Sequence, residues 1–297
     1  MVAGVVRLFE LMGAGWGELV PFGVRCVGSH VDQLDSFVYI LCLMSNKNTA
    51  NAHELWDIAR KLRENHTYVD LTHAFHAGQP KFPALPDEQR TRLFTVAEHG
   101  FEIDQYQFVG QWGTHVDPPV HFVQETRTLD NIGVEQMILP LVVLDFTAEV
   151  ARDNDFSPSI ADVEAWEERN GSIPDGAFVA FRSDWSKRWP DAEAMANADE
   201  EGVTHYPGWN VEVVEWLIDN RDIVAIGHET TDTDPGIVAH GGSLPTELYL
   251  LGRDRWQIEL LAGLDQVPET GALVVASWPK PKDGTGFPAR VFAVLPA

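Results

Sequence analysis

The sequence is poor in cysteine. Its 297 residues hold two, Cys26 and Cys42, both near the N-terminus. No disulfide framework follows, and no cysteine-based metal site is open to the rest of the chain. Any metal would be held by nitrogen and oxygen ligands. Basic residues are scarce as well. Lys and Arg number 21 against 45 Asp and Glu, a formal net charge of −24. Such a chain repels phosphate backbones and anionic lipid surfaces, which argues against nucleic-acid and membrane partners. No Gly-x-Gly-x-x-Gly fingerprint and no Gly-x-Ser-x-Gly elbow occurs. A dinucleotide enzyme and a serine nucleophile are therefore disfavoured.

The first 43 residues differ from the rest. Arg7, Glu10, Glu18, Arg25, Asp32 and Asp35 interrupt any run long enough to cross a bilayer. The segment also lacks the order of a signal peptide, so the chain is expected in the cytoplasm. Met44 opens an ordinary polar N-terminus. Residues 1–43 are expected to be an upstream start assignment, or else an extension that packs on the domain or on a second subunit. The domain plan is then a helix within 44–67 and one catalytic domain over 68–297.

Periodicity fills in the elements. Leu55, Ile58, Ala59 and Leu62 predict a helix over 53–65, with Asn51 as a cap. Residues 68–71 read as a short strand. A loop with Gly78, Pro80, Pro83 and Pro86 follows, either the rim of a site or a plain connector. Strands are predicted over 90–96 and 105–109, running into the segment at 111–122. The apolar run 139–146 reads as a buried strand. Ser157 is expected to cap a helix whose inner face is Ile160, Val163 and Trp166. Strands over 177–181 and 223–226 flank a second helix, 211–220, capped by Asn210. Closing strands are predicted at 273–276 and 290–294. Helices alternating with buried strands argue an α/β domain.

The chemistry concentrates at 111–122, Gln-Trp-Gly-Thr-His-Val-Asp-Pro-Pro-Val-His-Phe. Gly113, Pro118 and Pro119 forbid a helix there. On extended backbone, an i, i+2 spacing puts His115 and Asp117 on one face. The prolines bend the chain and return His121 towards it. A histidine, a carboxylate and a second histidine converging on one spot predict a metal site with a proton carrier beside it. Trp112 either stacks on an aromatic ring or belongs to the core. His228 follows a buried strand, where α/β proteins tend to place ligands; it either binds substrate or makes a structural hydrogen bond.

The pattern at 111–121 resembles the motif of the cyclase family of metal-dependent hydrolases, which includes bacterial kynurenine formamidase and isatin hydrolase. The resemblance runs from Tyr68 to Leu295, through Val69–His73, Ile226–Thr230, Ile258–Leu261 and Gly286–Arg290. It implies a central, partly barrel-like β-structure flanked by helices, and a homodimer or larger. It implies metal ligands at Gln111, His115, Asp117, Glu247 and Glu259, and His121 as general acid and base. Gln111 and Glu247 stand where the family carries histidines. This shifts the donors towards oxygen, so manganese joins zinc as the expected ion, with one or two ions bound. The implied reaction is metal-assisted hydrolysis of a small amide, arylformamidase-like. Hydrolysis of an isatin-type cyclic amide or of a lactone is the alternative. A homologue that binds a metal or ligand without catalysis is a third reading.

Overall fold

A computed structural model of the chain describes residues 53–297. The expectations for residues 1–43, the start at Met44, both cysteines and the Asn51 cap lie outside them. Chain order begins with α1 (Glu54–Asn65) and a short strand β1 (Tyr68–Asp70). β2 (Gln89–Phe94) and β3 (Ile103–Gln107) pair with each other as a separate antiparallel sheet. Their bounds are near those expected, but they do not lead into the sheet that carries the motif. Every residue of β2 is exposed.

That larger sheet has nine strands among the described residues. They include β4 (His115–Asp117), β5 (Ile138–Asp145), β6 (Phe178–Arg182), β7 (Ala225–His228) and β8 (Trp256–Glu259). β9 (Ala272–Ser277), β10 (Phe287–Pro288) and β11 (Arg290–Val294) complete it. The order is β1-β11-β9-β5-β6-β7-β8-β4-β10. β5, β6, β7 and β8 are parallel neighbours. The remaining pairings are antiparallel. The sheet curls into a half-barrel flanked by helices, in a mixed α/β unit that spans Ile58–Ala297.

Alternation along the strands separates two cores. Leu141 and Val143 of β5 enter one apolar cluster with Phe178, Ile258 and Val291. Val142 and Leu144 enter the other with Val179 and Ile226. The second cluster is covered by α2 (Ile160–Asn170), α3 (Val211–Arg221) and α4 (Pro245–Gly252), through Val163, Trp166, Leu217 and Leu250. These helices are the crossovers that parallel strands require.

Two boundaries depart from expectation. Ser159, not Ser157, caps α2, in a capping box with Asp162. Ser157 instead donates to the Gly208 carbonyl at 2.8 Å. β7 begins at Ala225 rather than Ile223, because Val224 N–H goes to the Ala177 carbonyl. The shift places His228 inside the strand.

Candidate metal centre

Two adjacent strands bring the donors together. β4 and β8 pair with His115 opposite Glu259 and Asp117 opposite Gln257. Alternate residues of a strand share a face, so these four side chains project to one side. Val116 and Ile258 enter the apolar core on the other. His115 Nε2 lies 3.3 Å from Asp117 Oδ2 and 3.5 Å from Glu259 Oε2. One donor atom from each of the three falls within 4.8 Å of the other two, and all three residues are buried.

Local backbone fixes the histidine. Gly113 has φ +63°, and a Cβ there would approach Phe75 Cβ to 2.9 Å. Its carbonyl accepts from His115 Nδ1 at 2.8 Å. A carbonyl cannot donate, so Nδ1 carries the proton in neutral His115. In that neutral form Nε2 would offer its lone pair towards the carboxylates, as a metal-ligating histidine does; burial disfavours the protonated ring, but the charge and hydrogen bond of Asp117 outweigh it and raise the His115 pKa. Pro118 ends β4, and a 3-10 turn at Pro119–His121 swings His121 to the rim. His121 Nε2 stands 3.9 Å from both Asp117 Oδ1 and Glu247 Oε1, with its side chain 29% exposed.

His228 repeats the logic from β7. Thr230 Oγ1 donates to the Asp232 carbonyl and so accepts from His228 Nδ1, each at 3.0 Å. His228 Nε2 is left bare, buried and without a hydrogen-bond partner, 3.6 Å from Glu259 Oε1. Burial lowers the His228 pKa to about 3. A neutral imidazole nitrogen thus faces the Glu259 carboxyl group at 3.6 Å. His228, expected either to bind substrate or to make a structural hydrogen bond, is buried beside Glu259 and is not among the residues lining the cavity.

The carboxylates tell the same story. Burial raises Glu247 and Glu259 well above the ordinary range, and neighbouring carboxylates push them further. Burial lifts Asp232 to about 6. Asp117 goes the other way: burial would raise it, but the charge and hydrogen bond of His115 hold it low. Buried acids crowded this way repel one another unless protonated or bridged by a cation. An orphaned imidazole nitrogen and a nest of facing oxygens fit a divalent ion. His115, Asp117 and Glu259 would hold it.

Gln257, which sequence reading did not single out, occupies the centre of this nest. Its Nε2 lies 3.3 Å from Asp117 Oδ2, 3.0 Å from Glu247 Oε1 and 3.1 Å from Glu259 Oε1. Its Oε1 accepts from Thr233 Oγ1 at 2.6 Å, which orients the amide. Only the strand register reveals this role.

Gln111 and Trp112 lie beside this nest. Gln111 Nε2 donates to Asp117 Oδ1 at 3.2 Å and to the Thr285 carbonyl at 2.9 Å. Both partners are acceptors, so the amide presents nitrogen, not a ligating oxygen, to the cluster. The neighbouring Gly286 permits this: a Cβ there would fall 2.0 Å from Gln111 Nε2. Trp112 is fully buried, and its Nε1 donates to Glu88 Oε2 at 3.1 Å. It belongs to the packing and cannot stack on a ligand. The apolar wall comes instead from Phe82, Leu85, Phe122, Leu244 and Leu260. With the acids and His121 they line a cavity of about 480 Å³. The proline-rich loop is therefore a rim, since Lys81, Phe82 and Leu85 belong to it. Glu247, reached from α4, is buried and also lines the cavity.

Comparison with known proteins agrees with this geometry. Residues 69–235 match the family model described as "Putative cyclase". Isatin hydrolase from Roseibium aggregatum is 37% identical over 245 residues, covering 77% of this chain and 91% of that protein. The structure of isatin hydrolase A from Ralstonia solanacearum superposes with a TM-score of 0.76 at 33% identity, covering 82% of this chain and 97% of that one. An isatin hydrolase bound to the product analogue thioisatinate superposes at 0.78 with 28% identity, over 83% and 99% of the two chains. By motif, fold and donor cluster, the chain belongs to the cyclase family of metal-dependent hydrolases.

Proposed function

We propose that this chain hydrolyses the C–N bond of a cyclic aryl amide of the isatin type, with one divalent cation. The observation that carries the reading is the His115–Asp117–Glu259 cluster at the base of a largely apolar cavity, in a chain so similar to isatin hydrolases. When bound, the cation supplies Lewis-acid activation of the amide carbonyl and of water. His115 and His228 offer it nitrogen, while Asp117 and Glu259 offer oxygen. Carboxylates suit manganese and imidazoles suit zinc, and this set contains both.

The other residues serve the reaction around that centre. His121 faces Asp117 and Glu247 from the rim, where it can take a proton from water and pass it to the leaving nitrogen. Gln111 holds Asp117 Oδ1, which fixes the carboxylate. Phe82, Phe122, Leu244 and Leu260 exclude water and suit a flat ring. The Gln257 amide nitrogen sits among Asp117, Glu247 and Glu259, where a second ion would need the same oxygens; this supports one ion rather than two. The separate β2–β3 hairpin exposes Leu93, Phe94, Ile103 and Tyr106, which supports self-association.

Assay of the purified chain with isatin and with N-formylkynurenine, each with added Mn²⁺ or Zn²⁺, tests the proposal. Ring opening of isatin is the expected result. Turnover of N-formylkynurenine alone would return the chain to the arylformamidase reading. Turnover of neither would leave a metal-binding homologue.

A further inference from the structure

We propose that Lys81 docks an anionic substituent of the substrate, a carboxylate remote from the scissile C–N bond. This rests on the hydrolase reading above. Among the described residues, Lys81 is the only Lys or Arg lining the active-site cavity, whose other ionisable groups are carboxylates and histidines. It also borders an adjoining cavity of about 340 Å³, where it is again the sole Lys or Arg among the described residues. The two cavities share Lys81, Phe82, Thr231 and Asp232, so Lys81 stands at their junction.

Its charge is unanswered. Lys81 Nζ donates to the Leu85 carbonyl at 2.7 Å, and no carboxylate among the described residues forms an ion pair with it. Asp232, which borders both cavities, is engaged by the hydroxyls of Tyr206 and Thr231 instead. An ammonium has three donors, so one bond to a neutral carbonyl leaves two for a ligand. That bond also fixes the rim loop and holds the ammonium in place.

Electrostatics make the residue selective. Asp117, Asp232, Glu247 and Glu259 line the cavity, and a chain of net charge −24 repels an approaching anion. A neutral amide meets no such barrier and needs no cation at the rim. An ammonium with donors to spare at the rim complements a substrate that carries negative charge. The scissile amide then lies over the donor cluster, and the carboxylate points to the junction.

Titration calorimetry on the metal-loaded chain tests this without requiring turnover. Benzoate offers one carboxylate, which the centre itself can bind; isophthalate offers a second at a distance. The wild type should bind isophthalate more tightly than benzoate. Lys81→Met should lose about ten-fold in isophthalate affinity, as expected for one charge-assisted hydrogen bond, and leave benzoate unchanged. Lys81→Arg should retain the preference. In kinetics, KM for ring-carboxylated isatins should rise in Lys81→Met with little change in kcat, and KM for isatin should stay level. Equal weakening of both acids would reduce Lys81 to a brace of the loop and overturn the proposal. No effect on either acid would overturn it as well. Failure to turn over isatin, with the isophthalate preference intact, would strike the hydrolase reading and not the docking role.

Discussion

His228 keeps its Nε2 buried, without a hydrogen-bond partner, 3.6 Å from Glu259 at the edge of the acid cluster. Alanine at His115 or Asp117 should strip the metal and abolish hydrolysis, because the remaining donors cannot close the coordination shell. Elemental analysis of both variants checks this; full metal content in either would remove the centre from those residues. His121 should behave differently, since it faces the acids from the rim. His121→Ala should keep its metal and lose about 10²–10⁴-fold in rate, the usual range for acid–base assistance. Parallel metal and rate measurements decide, and metal loss would make His121 a ligand. At this scale the sequence was legible where donors lie close together in the chain. His115, Asp117 and His121 follow from spacing alone. The parts of Gln257 and His228 do not, because they depend on cross-strand register and on which ring nitrogen Thr230, two residues along, engages. Trp112 was left open between stacking and core because a motif position says nothing of which way an indole turns; it is buried.

Among the elements, the long signals were plain and the short ones were not. The apolar run of β5 and the capped helices α2 and α3 could be read directly. β4 has three residues and β10 two, too short for any period to register. Yet β4 carries His115 and Asp117, so one of the least legible strands lies at the candidate site. Edges of elements also shifted, as with the α2 cap. Ser159→Ala removes the side-chain acceptor for Asp162 N–H and breaks the reciprocal contact. It should destabilise the fold by about 1 kcal/mol, measurable by denaturant unfolding. Ser157→Ala should cost no helix cap, and a larger loss there than at Ser159 would reverse the assignment.

For the whole molecule, the acid cluster couples stability to metal and pH. Burial and neighbouring carboxylates hold Glu247 and Glu259 above their unfolded pKa values. Their contribution to stability is full below the unfolded carboxylate range and is lost as pH rises through the folded values. Asp117, held low, acts in the opposite sense, and its contribution is lost only as pH falls below the unfolded range. The metal-free protein should therefore melt at a lower temperature in mildly alkaline than in mildly acidic buffer. A bound cation satisfies the ionised acids, so metal should raise the midpoint most at the alkaline end. Thermal melts with and without chelator across this range check the pattern; a chelator effect independent of pH would contradict it.

β4 lies next to the margin of the sheet, with only the two-residue β10 beyond it. Its inner neighbour is β8, and the paired residues Asp117 and Gln257 are 140 positions apart. A cation gripping His115 and Glu259 rivets that marginal strand to the parallel centre. Without it, β4 should fray while β5, β6 and β7 stay closed. Amide hydrogen exchange at 115–117 and 287–288 should then slow sharply on adding metal, with little change at 141–145. The ion would thus decide whether this border of the sheet is ordered, and the active site would exist as a fixed object only while it is held.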